Sequence, residues 1–427
     1  MVVAEEKKLA LLQNNVSERE DILFHSRFQF IAANDDRALN FLVNKEMEYS
    51  AEVLGLIETR DEELENFEKA TKTQRNFRSD QYEMHREEIM QNYGSQMDAL
   101  KSLQRRQFKQ LVHDVYEGKL KNDEFVKRQS VSKQGIFEAS LLPVVVQRFG
   151  RELHRAQLKT MHNVRLTNVN PLYLERRQNS LMDASARLQT ALFLYGNRLC
   201  GLLQVVSDDF NHHIKHKTGN NVKATTAAAT ARKSLELFHA CERSAELHFA
   251  DLQSQLDNVK RTATLAKEKR AKSPGRLAKE GYTLSEGALS PGNVYITRHS
   301  NLCSYHTIFH LVCGDDVSRE DINSRHPCIH GLRNVVRLCH EFGVSSLAIP
   351  LLLVDDLDEW HTEAWCLRRA ELVFKCVKGY MIECAKYAST PEYTIHFFLP
   401  YSVNPSLFRE CAEMITSIFQ TTKPLVA

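Results

Sequence analysis

In the first part of the chain, apolar positions are sparse and recur at steps of three, four and seven. Val53, Ile57, Leu64 and Phe67 make one stripe. Tyr93, Met97 and Leu100 make a second, and Phe108, Leu111 and Val115 a third. Such spacing predicts amphipathic helices with a narrow, coiled-coil-like seam. No proline precedes Pro143, and Glu, Lys, Arg, Gln and Leu are frequent, so long helices face no local breaker. Arg60 and the polar gaps interrupt strict heptads, which favours helical hairpins or a weak coiled coil over one unbroken rod. Similar steps recur later. Leu188, Leu192, Tyr195, Leu199, Leu202 and Val206 alternate by four and three, with Asp183 placed to cap the helix they predict. Leu235, Phe238, Ala245, Phe249, Leu252, Leu256 and Val259 predict another, and 149–166 reads as a basic helix. These helices are expected to form an antiparallel bundle.

The pattern changes after a stretch of Gly, Pro, Ser and charge at 267–293 that has no apolar period. Segments 293–299 and 305–313 alternate as strands. Segment 327–343 reads as a helix closed by Gly343. A strand at 346–354, a helix at 362–386, a strand at 393–399 and a helix at 404–420 complete an α-β-α-β-α order. The expected fold class is therefore α plus α/β, a helical bundle followed by a three-layer α/β domain. The expected domains are a helical lead-in (1–37), long helices with coiled-coil tendency (38–140), a basic helical bundle (141–266), a flexible linker (267–290) and the α/β domain (291–427).

Composition refines this picture at three points. The net charge is only +2, but it is unevenly spread. Residues 1–141 carry 21 basic and 26 acidic side chains, 142–290 carry 23 and 13, and 291–427 carry 12 and 15. A basic middle between acidic ends suits docking to partners, and it keeps direct, salt-sensitive RNA binding by the basic segment as an alternative. That segment lacks interleaved aromatics and any RNA-binding module signature. No secretory signal is visible at the amino terminus, and no run approaches the roughly 18 apolar residues of a transmembrane helix. Ten cysteines occur, none in a CxxC pair, and they read as reduced and mostly buried.

Several constellations invite chemistry. His212, His213 and His216, with Asp208 and Asp209 near, offer helical pairs but fall short of a four-ligand zinc set. His299, His306, His310, Asp315 and Asp316 crowd two strands, where Cys303–His306 or Cys313–His310 would make a nucleophilic dyad. Neither pair sits on a nucleophile turn, and the cysteines are expected to point into the core. Asp355, Asp356, Asp358 and Glu359 follow a strand end, a place for metal or acid–base work. They are expected to be a solvated acidic loop before a helix. Arg368, Lys375 and Lys378 share one side of the helix at 362–386, and Arg176 and Arg177 lie in the basic segment. These five are the candidate partner-docking residues. No catalytic, cofactor-binding or metal-binding residue is assigned.

The sharpest negative feature is the strand end Leu351, Leu352, Leu353, Val354. Parallel sheets usually bind ligands at the carboxyl ends of their strands on glycine-rich turns. This turn has no glycine, and bulky side chains crowd the approach of main-chain N–H groups to a phosphate. That argues for an assembly subunit rather than an enzyme.

The wording of the chain also resembles one family. LKTMHNVRL (158–166), RLQTALFLYGNRLCGL (187–202), YITRHSNL (295–302), GLRNVVRLC (331–339), IPLLLVDD (349–356) and WCLRRAELVFKCVKGYM (365–381) resemble the FERRY endosomal Rab effector complex subunit 3 family, in order, from about residue 38 onward. The resemblance implies a non-catalytic subunit of a multi-subunit complex, cytoplasmic and peripheral on early endosomes. It implies no cofactor. Partner subunits, rather than this one, would carry the contacts to a Rab GTPase and to mRNA and the translation machinery. Family members carry a further β-rich front segment, so this chain is either a short form or an incomplete one. A second resemblance concerns the fold. PGNVYITRHSNL, HTIFHLV and GLRNVVRLCHEFGVSSLAIP are similar to the later part of a macro domain, which implies an ADP-ribose-binding scaffold. Leu351 to Val354 stand where that family wraps phosphates, so the macro-like domain is expected to be degenerate. Nucleotide or ADP-ribose binding or hydrolysis is the competing reading.

Overall fold

A computed structural model describes residues 20–73, 79–119, 145–150, 161–168, 172, 199–210, 236–271, 289–302, 305–354, 357–384, 392–400, 402–419 and 425–426. The chain divides into two compact units. One comprises Met1–Ile136 with Glu242–Phe249, the other Phe137–Cys241 with Ala250–Ala427.

The first unit is helical. Helix α1 spans 20–34, α2 Asp36–Thr73 and α3 Ser79–Tyr116. Asp35 stands between α1 and α2, and its carboxylate accepts the amides of Arg37 and Ala38 at 3.0 Å. This is the capping that a lone Asp provides at a helix start. Helices α2 and α3 run antiparallel. Tyr49 meets Gln107, Gln104 meets Glu52, and Tyr93 meets Glu63, so partners diverge in sequence away from the turn. The expected seam forms a helical hairpin, with Leu42, Val53, Phe108 and Val112 fully buried. Ala245 and Leu247 from the later segment join this core.

The second unit is a mixed sheet of eight strands among the described residues. They are β1 (Val145–Gly150), β2 (Met161–Thr167), β3 (Leu199–Val206), β4 (Val294–Leu302), β5 (Tyr305–Val312), β6 (Val344–Pro350), β7 (Glu392–Phe398) and β8 (Leu425–Val426). The order is β4-β5-β3-β6-β7-β2-β1-β8. The five inner strands β5, β3, β6, β7 and β2 are mutually parallel, and the outer pairings are antiparallel. Helix α4 spans Glu236–Arg243, α5 Leu252–Ala271, α6 Asp315–Arg319, α7 Pro327–Glu341, α8 Glu363–Cys384 and α9 Pro405–Phe419. Side chains alternate across the sheet. Leu203, Phe309, Leu311, Leu347 and Ile349 pack with α7, α8 and α9. Leu202, Val206, Ile308, Val312 and Ala348 pack with Leu237 of α4 and with Leu252 and Leu256 of α5. Covered on both faces, the parallel strands read as near-continuous apolar runs, as such strands must.

The same property makes the sequence pattern misleading. Residues 199–206, expected as helix, are the central strand β3. In LCGLLQVV almost every position is apolar, so steps of four and three arise by chance in a strand buried on both faces. Residues 161–166, also expected as helix, lie in β2, where His162, Val164 and Leu166 are buried while Arg165 is exposed. That is period two, not 3.6. The basic helical bundle over 141–266 is thus corrected: β1, β2 and β3 complete the sheet, which is not confined to 291–427. The seam from Leu235 to Val259 is also broken. Residues 244–251 are non-helical, and Asp251 starts a new helix by accepting the amide of Ser254 at 2.8 Å. The strand expected at 346–354 ends at Pro350 and gives way to a turn. Helix α5 reaches Ala271, inside the expected linker.

One turn locks the start of β4 to α7. Gly292 adopts φ +85°, a left-handed conformation, and a Cβ there would run into the Pro327 carbonyl oxygen. Gly331 of α7 is equally tight, because a Cβ at that position would lie 2.7 Å from the Gly292 oxygen. Gly292→Ala is therefore expected to destabilise this unit by about 2 kcal/mol. Both tryptophans, Trp360 and Trp365, lie in the sheet unit. Urea unfolding followed by their fluorescence reads the loss directly, and an unchanged midpoint would contradict the close approach.

Candidate functional site

The carboxyl ends of the five parallel strands share one edge of the sheet. In open α/β sheets this edge carries the ligand site. Here it is built from Thr167, Val206–Phe210, Cys313–Asp316, Leu351–Val354 and Leu399. Main-chain bonds extend the ladder past the strands. The Cys313 amide donates to the Val206 carbonyl, Leu351 to Phe398, and Leu399 to Thr167, each at 2.9 Å. The Leu353 amide turns back to the Pro350 carbonyl at 3.1 Å. The amides of Leu351 and Leu353, which a phosphate cradle would need, are consumed by the protein itself.

The side chains close the same place. Leu351, Leu352 and Leu353 are at most 1% exposed, and Val354 is 7% exposed. Leu353 adopts φ +55°, and it is the sole non-glycine residue with positive φ among the described residues. A bulky side chain in that region is strained by roughly 1 to 3 kcal/mol. Burial of its isobutyl group offsets that strain. The backbone thus keeps a shape suited to glycine while the side chain fills the space a ligand would occupy.

Arg369 of α8 holds this loop from within. It is 3% exposed. Its guanidinium donates to the Leu352 carbonyl at 3.2 Å and to the Glu320 carbonyl, just past α6, at 2.8 Å. It also stacks 4.5 Å over the Trp365 ring. Burial pulls its pKa down to about 10, partly countered by Asp321, so the group stays charged at neutral pH. Charge spacing along the helix points to Arg368 and passes over Arg369. A signal for Arg369 is nonetheless in the sequence: Trp365, Arg369 and Val373 step by four along the buried stripe of α8.

Beside the closed loop, α6 and α7 bring together four polar side chains. His326 caps α7, its Nδ1 accepting the Cys328 amide at 3.3 Å, with Pro327 in the first turn. That bond places the ring proton on Nε2, which meets Asp316 Oδ2 at 2.8 Å. Cys328, fully buried, donates its thiol to the Val312 carbonyl at 3.4 Å. A hydrogen bond from Cys313, opposed by burial and assisted by His326 and the Gly314 amide, draws the Cys328 thiol down to about 7. Sequence spacing pairs Cys313 with His310 and misses this group. The clue is His326-Pro327-Cys328, a capping residue and a proline just ahead of an apolar helix.

The other predicted residues disperse. His310 is fully buried and meets Thr297 Oγ1 at 3.0 Å, as does His299. Burial holds the His299 pKa at about 4, so that ring is neutral at physiological pH. His306 accepts the Cys200 amide at 3.1 Å. Asp358 lies in an exposed loop, where its amide donates to His361, and Glu359 is exposed beside it. On α8, Arg368 is paired with Asp321 and Lys375 with Glu371, all four well exposed, while Lys378 donates to the Ile418 carbonyl near the end of α9. The structure therefore keeps Arg368 and Lys375 on the surface and draws Lys378 into packing. Arg176, Arg177, His212, His213, His216, Cys303, Asp355 and Asp356 lie outside the described residues, as does the Asp315 side chain. Among the described residues, no group of three or more His, Cys, Asp or Glu is arranged to hold a metal. None of their helices is long and apolar enough to cross a membrane.

Fold and edge together define an α plus α/β protein whose sheet closes its own ligand edge with aliphatic side chains and a buried arginine. The chain belongs to the family described as Ferry endosomal RAB5 effector complex subunit 3, whose model matches residues 4–425. It is 36% identical over 285 residues to the mouse protein named FERRY endosomal RAB5 effector complex subunit 3, covering 63% of this chain and 48% of that one. The rat protein of that name matches at 36% over 286 residues and the human one at 36% over 284, with the same coverage. The chain spans about half the length of these curated relatives.

Proposed function

We propose that this chain is a non-catalytic adaptor subunit of an endosomal Rab5 effector complex. The family match over 4–425 carries this reading. In this role the protein is cytoplasmic and peripheral on early endosomes, held there through partner subunits. Contact with the Rab GTPase, and the link to mRNA and the translation machinery, run through those partners. The sheet unit serves as a degenerate macro-like scaffold. Support for that comes from the consumed amides of Leu351 and Leu353 and the buried aliphatic turn. The long α2–α3 hairpin suits helix-on-helix assembly, and the exposed Arg368 and Lys375 on α8 are a docking face for an acidic partner surface.

Tagged chain expressed in its own cells is expected to co-purify at moderate salt with the same few subunits, in constant ratio. Recovery as a lone monomer would reject the adaptor role. Titration calorimetry with ADP-ribose separates the scaffold from a nucleotide binder. No saturable heat is expected, and micromolar binding would reverse the reading of the sheet unit.

A further inference from the structure

Just beyond the closed edge, Trp360 is 80% exposed, the most exposed large apolar side chain among the described residues. His361 and Arg369 both pack on its buried neighbour Trp365 instead. The backbone beneath the exposed indole is nevertheless fixed. The Asp358 amide donates to His361 Nδ1 at 2.8 Å, and the amides of His361 and Thr362 donate to the carbonyls of Asp358 and Trp360, each at 3.0 Å. With its Nδ1 accepting, the His361 ring donates from Nε2 to the Ser318 carbonyl at 2.8 Å, which pins the turn to α6. The Thr362 hydroxyl accepts the Trp365 amide at 3.3 Å and starts α8. We infer that Trp360 is a preorganised anchor on which an arginine of another protein stacks, its guanidinium reaching the carboxylates beside the indole.

Charge selects the partner. Residues 355–363 hold five carboxylates, Asp355, Asp356, Asp358, Glu359 and Glu363, and no Lys or Arg. Asp358, Glu359 and Glu363 are exposed, and Glu363 accepts a long bond from Asn404 at 3.5 Å. Next to Ser318, exposed Arg319 and Glu320 cancel in charge, and Arg368 is paired with Asp321, so the turn keeps its negative sign. Tryptophan offers a cation the best aromatic face, and a guanidinium stacks on it while its planar fork takes a carboxylate. The same contact exists inside this molecule. Arg369 lies 4.5 Å over the Trp365 ring and donates to two oxygens, the carbonyls of Leu352 and Glu320.

The sign of the turn also selects against two other uses of an exposed tryptophan. An anionic membrane surface and a nucleic-acid backbone both repel carboxylates. A large aromatic side chain on a rigid turn loses little freedom on docking, which is how interface hot spots are built. This surface differs from the Arg368 and Lys375 face, which suits an acidic partner. It stands on the geometry of the turn and does not need the adaptor reading.

The test replaces Trp360 with photoreactive benzoylphenylalanine in the full tagged chain, irradiated in its own cells, and maps the attachment point by peptide sequencing. The expected product is one segment of another protein, with an arginine within about two positions of the linked residue. A link to lipid, to RNA, to a second copy of this chain or to a segment without arginine would overturn the proposal, as would no link. Adding Glu359→Lys should lower the yield of the link about tenfold, because like charges then meet. An unchanged yield counts against the carboxylates. Trp360→Ala should weaken binding of the linked protein about thirtyfold, and replacing its arginine with lysine roughly fivefold. Equal binding in either case would reject the stacked guanidinium. Urea midpoints of the Trp360 and Glu359 variants, read by Trp365 fluorescence, should stay at that of the unaltered chain. A lowered midpoint would make Trp360 a support of the fold and not an anchor. Absence of co-purifying subunits from the unaltered chain rejects the adaptor reading alone, since the crosslink is read whichever protein it reaches.

Discussion

Arg369→Met is expected to destabilise the sheet unit by about 3 kcal/mol, the loss of two charge-assisted hydrogen bonds in a dry site. Replacing a buried charged pair with apolar groups is often neutral, because both charges leave together. Here the partners are the main-chain carbonyls of Leu352 and Glu320, and they stay behind. Methionine fills the space over Trp365 but cannot donate to either. The Leu351–Val354 turn, already strained at Leu353, would lose the group that holds it. Arg369→Lys should recover only part of the loss, since one ammonium lacks the planar fork that reaches two acceptors. Urea unfolding read by tryptophan fluorescence is the measurement. An Arg369→Met midpoint equal to the unaltered chain would show that the guanidinium is not what closes the edge.

The second large effect belongs to the helical unit. His248 Nε2 meets Glu46 Oε1 at 2.6 Å inside a cluster of Phe24, Phe28 and Phe108. Glu46 is 2% exposed. The His25 ring stacks 6.5 Å away, and Glu246 lies on the same segment as His248. Burial pulls the His248 pKa down, but the charge and hydrogen bond of Glu46, with Glu246 behind them, more than reverse this, and the value ends above 6.5. A raised folded pKa means that the folded state holds the extra proton. The contribution is full below the unfolded value of about 6.5 and is lost as pH climbs through the folded value.

In Glu46→Gln the main raising influence is gone and burial dominates, so the His248 pKa should fall below 6.5. The slope then changes sign, and stability rises with pH from the lowered folded value up to about 6.5, below the window in which the unaltered chain loses it. At pH 6 the folded variant loses the charged pair, whether by shedding the His248 proton or by keeping it without a counter-charge, and the substitution should cost about 3 kcal/mol. The amides of His248 and Phe249, which donate to Glu246, report locally. Their hydrogen exchange in the full chain should speed up roughly a hundredfold at pH 6. The difference between variant and unaltered chain should shrink by pH 8. Equal exchange at pH 6, or a difference that grows with pH, would contradict the charged pair.

The aliphatic strand end is the most informative feature visible in the chain. Leu351 to Val354 cannot be a phosphate loop on steric grounds, and the structure buries all four. What the sequence does not reveal is how the turn survives, since that depends on a guanidinium from α8 and on the left-handed Leu353. The bond of the Cys328 thiol to the Val312 carbonyl is invisible for a related reason, since only the packing of α7 against the end of β5 brings them together.

By itself the sequence determined the local periods: the seam of α2 and α3, the helices α7, α8 and α9, and the strands that flank them. These follow from side-chain spacing and short-range sterics, which each segment carries with it. Only the tertiary structure decided that 161–167 and 199–206 are strands. A fully buried strand has no polar face, so its pattern carries no period until neighbouring strands and covering helices supply both surroundings. The same holds for Arg369, whose charge reads as surface until the carbonyls of Leu352 and Glu320 converge on it.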